Sequence, residues 1–133
     1  ALAYTLGVPS VFVRKQAKEH GTRSKIEGGE VKDRRVLLIE DLVTTGSSSL
    51  AGVEALRADG AVVEDCLAIT GYGFPVAAHA FKVLGVRLHL LTPFSVIARV
   101  AREQGYLSDN ELTVIEDWAG DPHGWMRRQE LDE

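Results

Sequence analysis

Arg35 to Leu50, RVLLIEDLVTTGSSSL, is the stretch whose reading decides the fold. Val36 to Ile39 form an unbroken apolar run without polar alternation, the pattern of a parallel strand covered on both faces. Two carboxylates, Glu40 and Asp41, follow, then Leu42 and Val43. A turn of small residues runs through Thr44, Thr45, Gly46, Ser47 and Ser48 into a helical pattern. In parallel sheets, ligands collect where strands end and helices begin. The turn presents hydroxyls and backbone N–H groups at a helix start, which is where a phosphate is held. Carboxylates accept hydrogen bonds and attract divalent cations, so beside such a cradle Glu40 and Asp41 suit sugar hydroxyls or a magnesium complex. The nucleotide-binding P-loop fails on one residue: Ser47, not Lys, follows Gly46. Acids directly ahead of the cradle point instead to a phosphorylated sugar. The plain competitor is a strand, turn and helix whose polar residues only cap the helix.

The rest of the composition agrees with a single enzyme-sized domain. A chain of 133 residues can bury a core, and 45% hydrophobic with 26% charged residues is ordinary for a globular protein. The one cysteine, Cys66, excludes an internal disulfide framework and fits a reducing compartment. It sits in an apolar strand pattern, as buried filler rather than a nucleophile. No segment has the length of a membrane span and no basic region precedes an apolar one, so a cytoplasmic protein is expected, with no membrane partner. The net charge of -4 is unevenly spread. Arg14 to Arg35 holds eight Lys/Arg against four acids, a local +4 that leaves -8 elsewhere. A basic segment on an acidic body suits a small polyanion; no broad positive face is visible for nucleic acid.

Around the central stretch, strand and helix patterns alternate. Ala1 to Leu6 reads as the end of a helix stopped by Gly7 with Pro9 beyond. Ser10 to Val13 is a short β-rich run. Residues 16–35 hold no sustained period, and a polar connection of that length is expected to act as a lid or binding loop. Leu50, Val53 and Leu56 line a helix ending at Gly60. Ala61 to Ile69 is the next strand, with Glu64 and Asp65 marking a bulge or an exposed end. Thr70 to Pro75, TGYGFP, is a loop, followed by a helix with Ala77, Ala80, Phe81 and Leu84 on one side. Val86 to Leu91 is the last strand. Thr92 is then expected to cap a helix with Pro93 at its first position, and Ser108 with Glu111 to form a capping box for another. Beyond Gly120 a polar, frayed tail is expected. The alternation implies an α/β fold with a mainly parallel sheet.

Residues 39–49, IEDLVTTGSSS, resemble the phosphoribosyl-pyrophosphate (PRPP) signature of the type I phosphoribosyltransferases, and residues 14–21, RKQAKEHG, resemble the mobile catalytic loop of the orotate-specific members. With a weaker C-terminal likeness the resemblance covers nearly the whole chain. It implies a doubly wound core with C-terminal helices: one phosphoribosyltransferase domain with its core in residues 1–92, a helical part in 93–120 and a polar tail in 121–133. In that family a first strand and a pyrophosphate loop precede the helix that opens this chain, so a fragment or a trimmed member is expected. PRPP would be bound by Arg14, Lys15, Lys18, His20, Glu40, Asp41, Leu42, Val43, Thr44, Thr45, Gly46, Ser47 and Ser48. Lys18 and His20 would be catalytic, and Mg²⁺ would be held through PRPP near Glu40 and Asp41 rather than by the protein directly. Many orotate enzymes carry an Asp-Arg pair, whose Arg holds the orotate carboxylate, where this chain has Gly71 and Tyr72; Thr44 and the backbone near Tyr72 become the candidates for orotate. The family loop reaches into a neighbouring subunit, which implies a homodimer. A phosphoribosyltransferase for another base and a non-catalytic PRPP-sensing regulator are the competing readings.

Overall fold

The computed structural model describes residues 2–14 and 25–131, and of residues 123 and 129–131 only the backbone. The order is α1 (Leu2–Leu6), β1 (Phe12–Val13), β2 (Ile26–Glu27), β3 (Arg35–Val43), α2 (Ser47–Ala58), β4 (Val62–Gly71), α3 (Pro75–Val83), β5 (Arg87–Pro93), α4 (Phe94–Glu103), α5 (Asp109–Gly120) and α6 (Pro122–Leu131). Strands β3, β4 and β5 form a parallel sheet in that order, with Leu38 beside Cys66 and Cys66 beside Leu88. Each β-α-β connection is made by a helix because parallel neighbours cannot be joined by a tight turn. Arg35 opposes Val62 but Leu37 opposes Asp65, so the extra residue that Glu64 and Asp65 signalled is a bulge.

The core lies between this sheet and the pair α2 and α3. Val53 and Leu56 of α2 and Phe81 of α3 close onto Val63, Cys66 and Ala68 of β4, all essentially without solvent exposure. Gly60 and Gly85 end the two helical segments at positive φ, where a left-handed residue lets the chain turn into the next strand. The described residues leave the sheet's other face partly open, where cover on both sides is expected. Leu37, Ile39, Ile69 and Leu91 stand 45–68% exposed there. An apolar run identifies a strand, but not the element that packs on it; among the described residues no helix lies over these side chains.

Three boundaries also differ from the sequence reading. Residues 16–35 are not one loop: β2 pairs antiparallel with β1, and Val31 is buried in the core. Strand β5 runs on through Pro93, so Thr92 caps nothing and Pro93 itself stands at the start of α4, without a side-chain cap. The segment after Gly120 is the helix α6 rather than a frayed tail. Asp121 accepts from the Gly124 amide at 2.9 Å, and Arg128 donates to both oxygens of Asp117 at 3.0 Å, tying α6 back to α5. The capping box at the start of α5 is as expected, with Ser108 and Glu111 each accepting from the other's amide.

Candidate active site

The carboxyl ends of β3 and β4 bring two turns side by side. The first is the small-residue turn. Strand β3 continues to Val43, so Glu40 and Asp41 lie within it and point to opposite faces. Glu40 is half-buried and Asp41 is exposed. Asp41 Oδ1 accepts from the Leu42 amide at 2.7 Å, which holds its carboxylate against the strand end. Glu40 is close enough to Cys66 to add to the burial that pushes the thiol up to about 11. Cys66 is therefore a neutral core side chain and not a nucleophile.

Gly46 then turns the chain at φ 83° into α2. It is buried, and a Cβ there would stand 2.9 Å from Phe81 Cε2. The sequence therefore needs glycine here twice over, for the left-handed backbone and for the contact with the core. No side chain caps α2 although four hydroxyls surround its start. Thr45 and Ser47 instead share a hydrogen bond of 3.0 Å between their hydroxyls, and Thr44, Thr45, Ser47 and Ser48 are all exposed. The first turn of a helix leaves backbone donors unsatisfied. Here they lie beside exposed hydroxyls, with the positive end of the helix dipole behind them, an arrangement chemically suited to an anion.

The second turn follows β4. The Tyr72 amide donates to the Val43 carbonyl at 3.3 Å, joining this turn to the residue before the cradle. The Tyr72 ring lies at centroid distances of 5.4 Å from Phe74, 4.9 Å from Phe94 and 5.2 Å from Trp118. With its ring engaged on three sides and its amide given to Val43, Tyr72 has only its carbonyl, an acceptor, left to offer a ligand. In the same row of the sheet, Thr70 Oγ1 is buried without a hydrogen-bond partner among the described residues.

The expected lid falls into two parts. Arg14 follows β1, where its guanidinium pairs with Glu27 at 2.8 Å and its amide donates to the Lys25 carbonyl at 2.8 Å. Lys15, Lys18 and His20, in the connection between β1 and β2, lie outside the described residues. No three His, Cys, Asp or Glu side chains converge as a metal site among the described residues. Mg²⁺ binds one or two carboxylates plus substrate phosphates, and Glu40 and Asp41 are hard oxygen donors of that kind. The motif reading did not find Phe81 under Gly46, the Thr70 hydroxyl, or the aromatic side chains around Tyr72. Each depends on how distant positions pack, with no local signal to announce it.

The chain is similar to several known proteins. The model of the phosphoribosyl transferase domain matches residues 1–71. The orotate phosphoribosyltransferase of Bacteroides thetaiotaomicron is 41% identical over 124 residues, 93% of this chain and 58% of that protein. The solved orotate phosphoribosyltransferase of Aeropyrum pernix is similar at a TM-score of 0.66 and 33% identity, over 80% of this chain and 58% of that one. A Mycobacterium tuberculosis orotate phosphoribosyltransferase solved in complex with PRPP is similar at a TM-score of 0.56 and 32% identity, over 65% of this chain and 48% of that one. The chain thus spans less than two thirds of the length of the relatives it matches. Among the described residues no helix is long and apolar enough to cross a membrane.

Proposed function

The chain belongs to the phosphoribosyl transferase family, and from that premise we propose that it acts as an orotate phosphoribosyltransferase, moving ribose 5-phosphate from PRPP to orotate in pyrimidine nucleotide synthesis. One observation carries the reading: an uncapped helix start beside exposed hydroxyls, shortly after the strand that carries Glu40 and Asp41. Each part of PRPP needs a different partner. The 5-phosphate takes the amides and hydroxyls of Thr44 to Ser48, where the helix dipole contributes about 0.3–1 kcal/mol to an anion. The ribose hydroxyls donate to Glu40 and Asp41, with Leu42 and Val43 forming the strand end beneath them. Orotate lies toward Thr44 and the Tyr72 backbone. Relatives named for orotate, one of them solved with PRPP, support this choice.

In the reaction a ring nitrogen of the base forms a bond to C1 of the pentose as the bond from C1 to the pyrophosphate oxygen breaks. The leaving group gains charge as it departs, and positioned cations stabilise that charge. Arg14, Lys15, Lys18 and His20 fill this role, Lys18 and His20 as the catalytic pair, with His20 as a proton donor, the side-chain type suited to proton transfer near neutral pH. Arg14 reaches the pyrophosphate by exchanging its half-exposed pair with Glu27, an exchange of low cost because exposed ion pairs contribute only about 0–1 kcal/mol. Mg²⁺, when bound through PRPP near Glu40 and Asp41, offsets the crowded negative charge. Closure of the basic loop excludes water that would otherwise attack C1. A homodimer whose subunits share this loop, working in the cytoplasm, completes the proposal.

The Gly71 and Tyr72 pair, in place of the Asp-Arg of many orotate enzymes, is the observation that favours the second reading, transfer to a different base. The test is to mix the chain with PRPP, Mg²⁺ and either orotate or a purine and to follow orotate by absorbance. Loss of orotate absorbance that depends on PRPP and Mg²⁺ is expected. Consumption of a purine alone would reject orotate, and PRPP binding without any turnover would favour a sensor.

A further inference from the structure

We infer that Trp118, on α5, is a positioning residue that fixes the turn after β4 and so sets the seat of the base; the inference rests on the reading proposed for this site. The turn Gly71-Tyr72-Gly73-Phe74 alternates glycine with aromatic residues. Gly73 stands at φ 78° with open space around it, so the backbone contributes little stiffness of its own. The rings supply it. Tyr72 and Phe74 stack at 5.4 Å with planes 17° apart. The Trp118 indole meets both edge-on, at 5.2 Å and 86° to Tyr72 and at 5.6 Å and 70° to Phe74. Phe94 closes the bracket at 4.9 Å from Tyr72. These are the offset and edge-to-face geometries that aromatic quadrupoles favour.

The direction of the coupling follows from the topology. Helix α5 packs on α4 and α6, and Trp118 is the side chain that reaches from it to the turn. The turn is hydrogen-bonded to Val43, the last residue before the cradle, through the Tyr72 amide. The distance between cradle and base seat therefore depends on a ring carried by α5, an element outside both turns. Loosening the bracket leaves the cradle intact, since Gly46 rests on Phe81 rather than on these rings. Base binding and PRPP binding should consequently separate.

The experiment compares the parent chain with Trp118→Ala and Trp118→Phe by amide hydrogen exchange without ligand, by PRPP affinity, and by KM for orotate. For Trp118→Ala, exchange at residues 71–74 should rise about tenfold or more. Its KM for orotate should rise at least about tenfold with the PRPP Kd within about twofold. Trp118→Phe, which retains an aromatic edge, should recover most of both effects. Unchanged exchange at residues 71–74 would overturn the inference, as would equal losses of PRPP and orotate affinity. If exchange rises but a parent chain that binds PRPP consumes no orotate, the assignment of the base fails while the bracket stands, so the two failures are distinguishable.

Discussion

Gly46 joins the fold to the proposed site. Its left-handed backbone turns β3 into α2, and its missing side chain lets the turn rest on Phe81. Gly46→Ala should cost about 2 kcal/mol of stability and weaken PRPP binding in the same protein, measured by urea unfolding and calorimetric titration. A substitution neutral in both would show that neither the backbone angle nor the contact matters. Asp65 makes a different kind of statement, since it lies at the opposite end of β4 from the turns. It accepts from Arg87 at 2.8 and 2.7 Å and lies 2.8 Å from the His89 ring, and these hydrogen bonds hold its carboxyl far below the usual carboxylate range. A lowered folded-state pKa gives stability that is fully present above the unfolded value of about 4 and is lost as pH falls toward the folded value. The difference in urea midpoint between the parent and Asp65→Asn should therefore be largest near neutrality and shrink on acidification below about pH 4. A difference that stays constant into acid would contradict the assignment.

At the scale of elements, β4 tests the sidedness of the sheet with one residue type. Val62 is 46% exposed and its neighbour Val63 is 1% exposed. Val63→Ala should cost about 2 kcal/mol, because it leaves a cavity beneath α2. Val62→Ala should stay within about 0.5 kcal/mol. Denaturant unfolding of the two variants decides it, and equal losses would mean that the face assignment is wrong. What the sequence made legible was local. The strand, the two acids, the turn and the helix start lie within Arg35 to Leu50, and the Ser108 and Glu111 box spans one helical turn. What it hid depended on distant partners. The rings of Tyr72, Phe94 and Trp118 come from three separate segments, and α6 is secured by Arg128 reaching to Asp117. Strand β5 outran its expected end because Thr92 and Pro93 pair with Thr70 and Gly71. Propensity for a cap yields to an available ladder.

For the molecule as a whole, the proposed site lies at one end of the sheet. The cradle, the acids and the aromatic turn all stand at the carboxyl ends of β3 and β4, where α/β proteins place their ligands. Arg35 with Glu64, and Asp65 with Arg87 and His89, occupy the opposite end. Between the ends, one face is closed by α2 and α3, and the other exposes Leu37, Ile39, Ile69 and Leu91. The most direct measurement is a crystal structure of the chain with PRPP and Mg²⁺. The 5-phosphate should accept hydrogen bonds from the Thr44 to Ser48 turn, with the ribose hydroxyls donating to Glu40 and Asp41. A phosphate bound elsewhere, with that turn empty, would contradict the account.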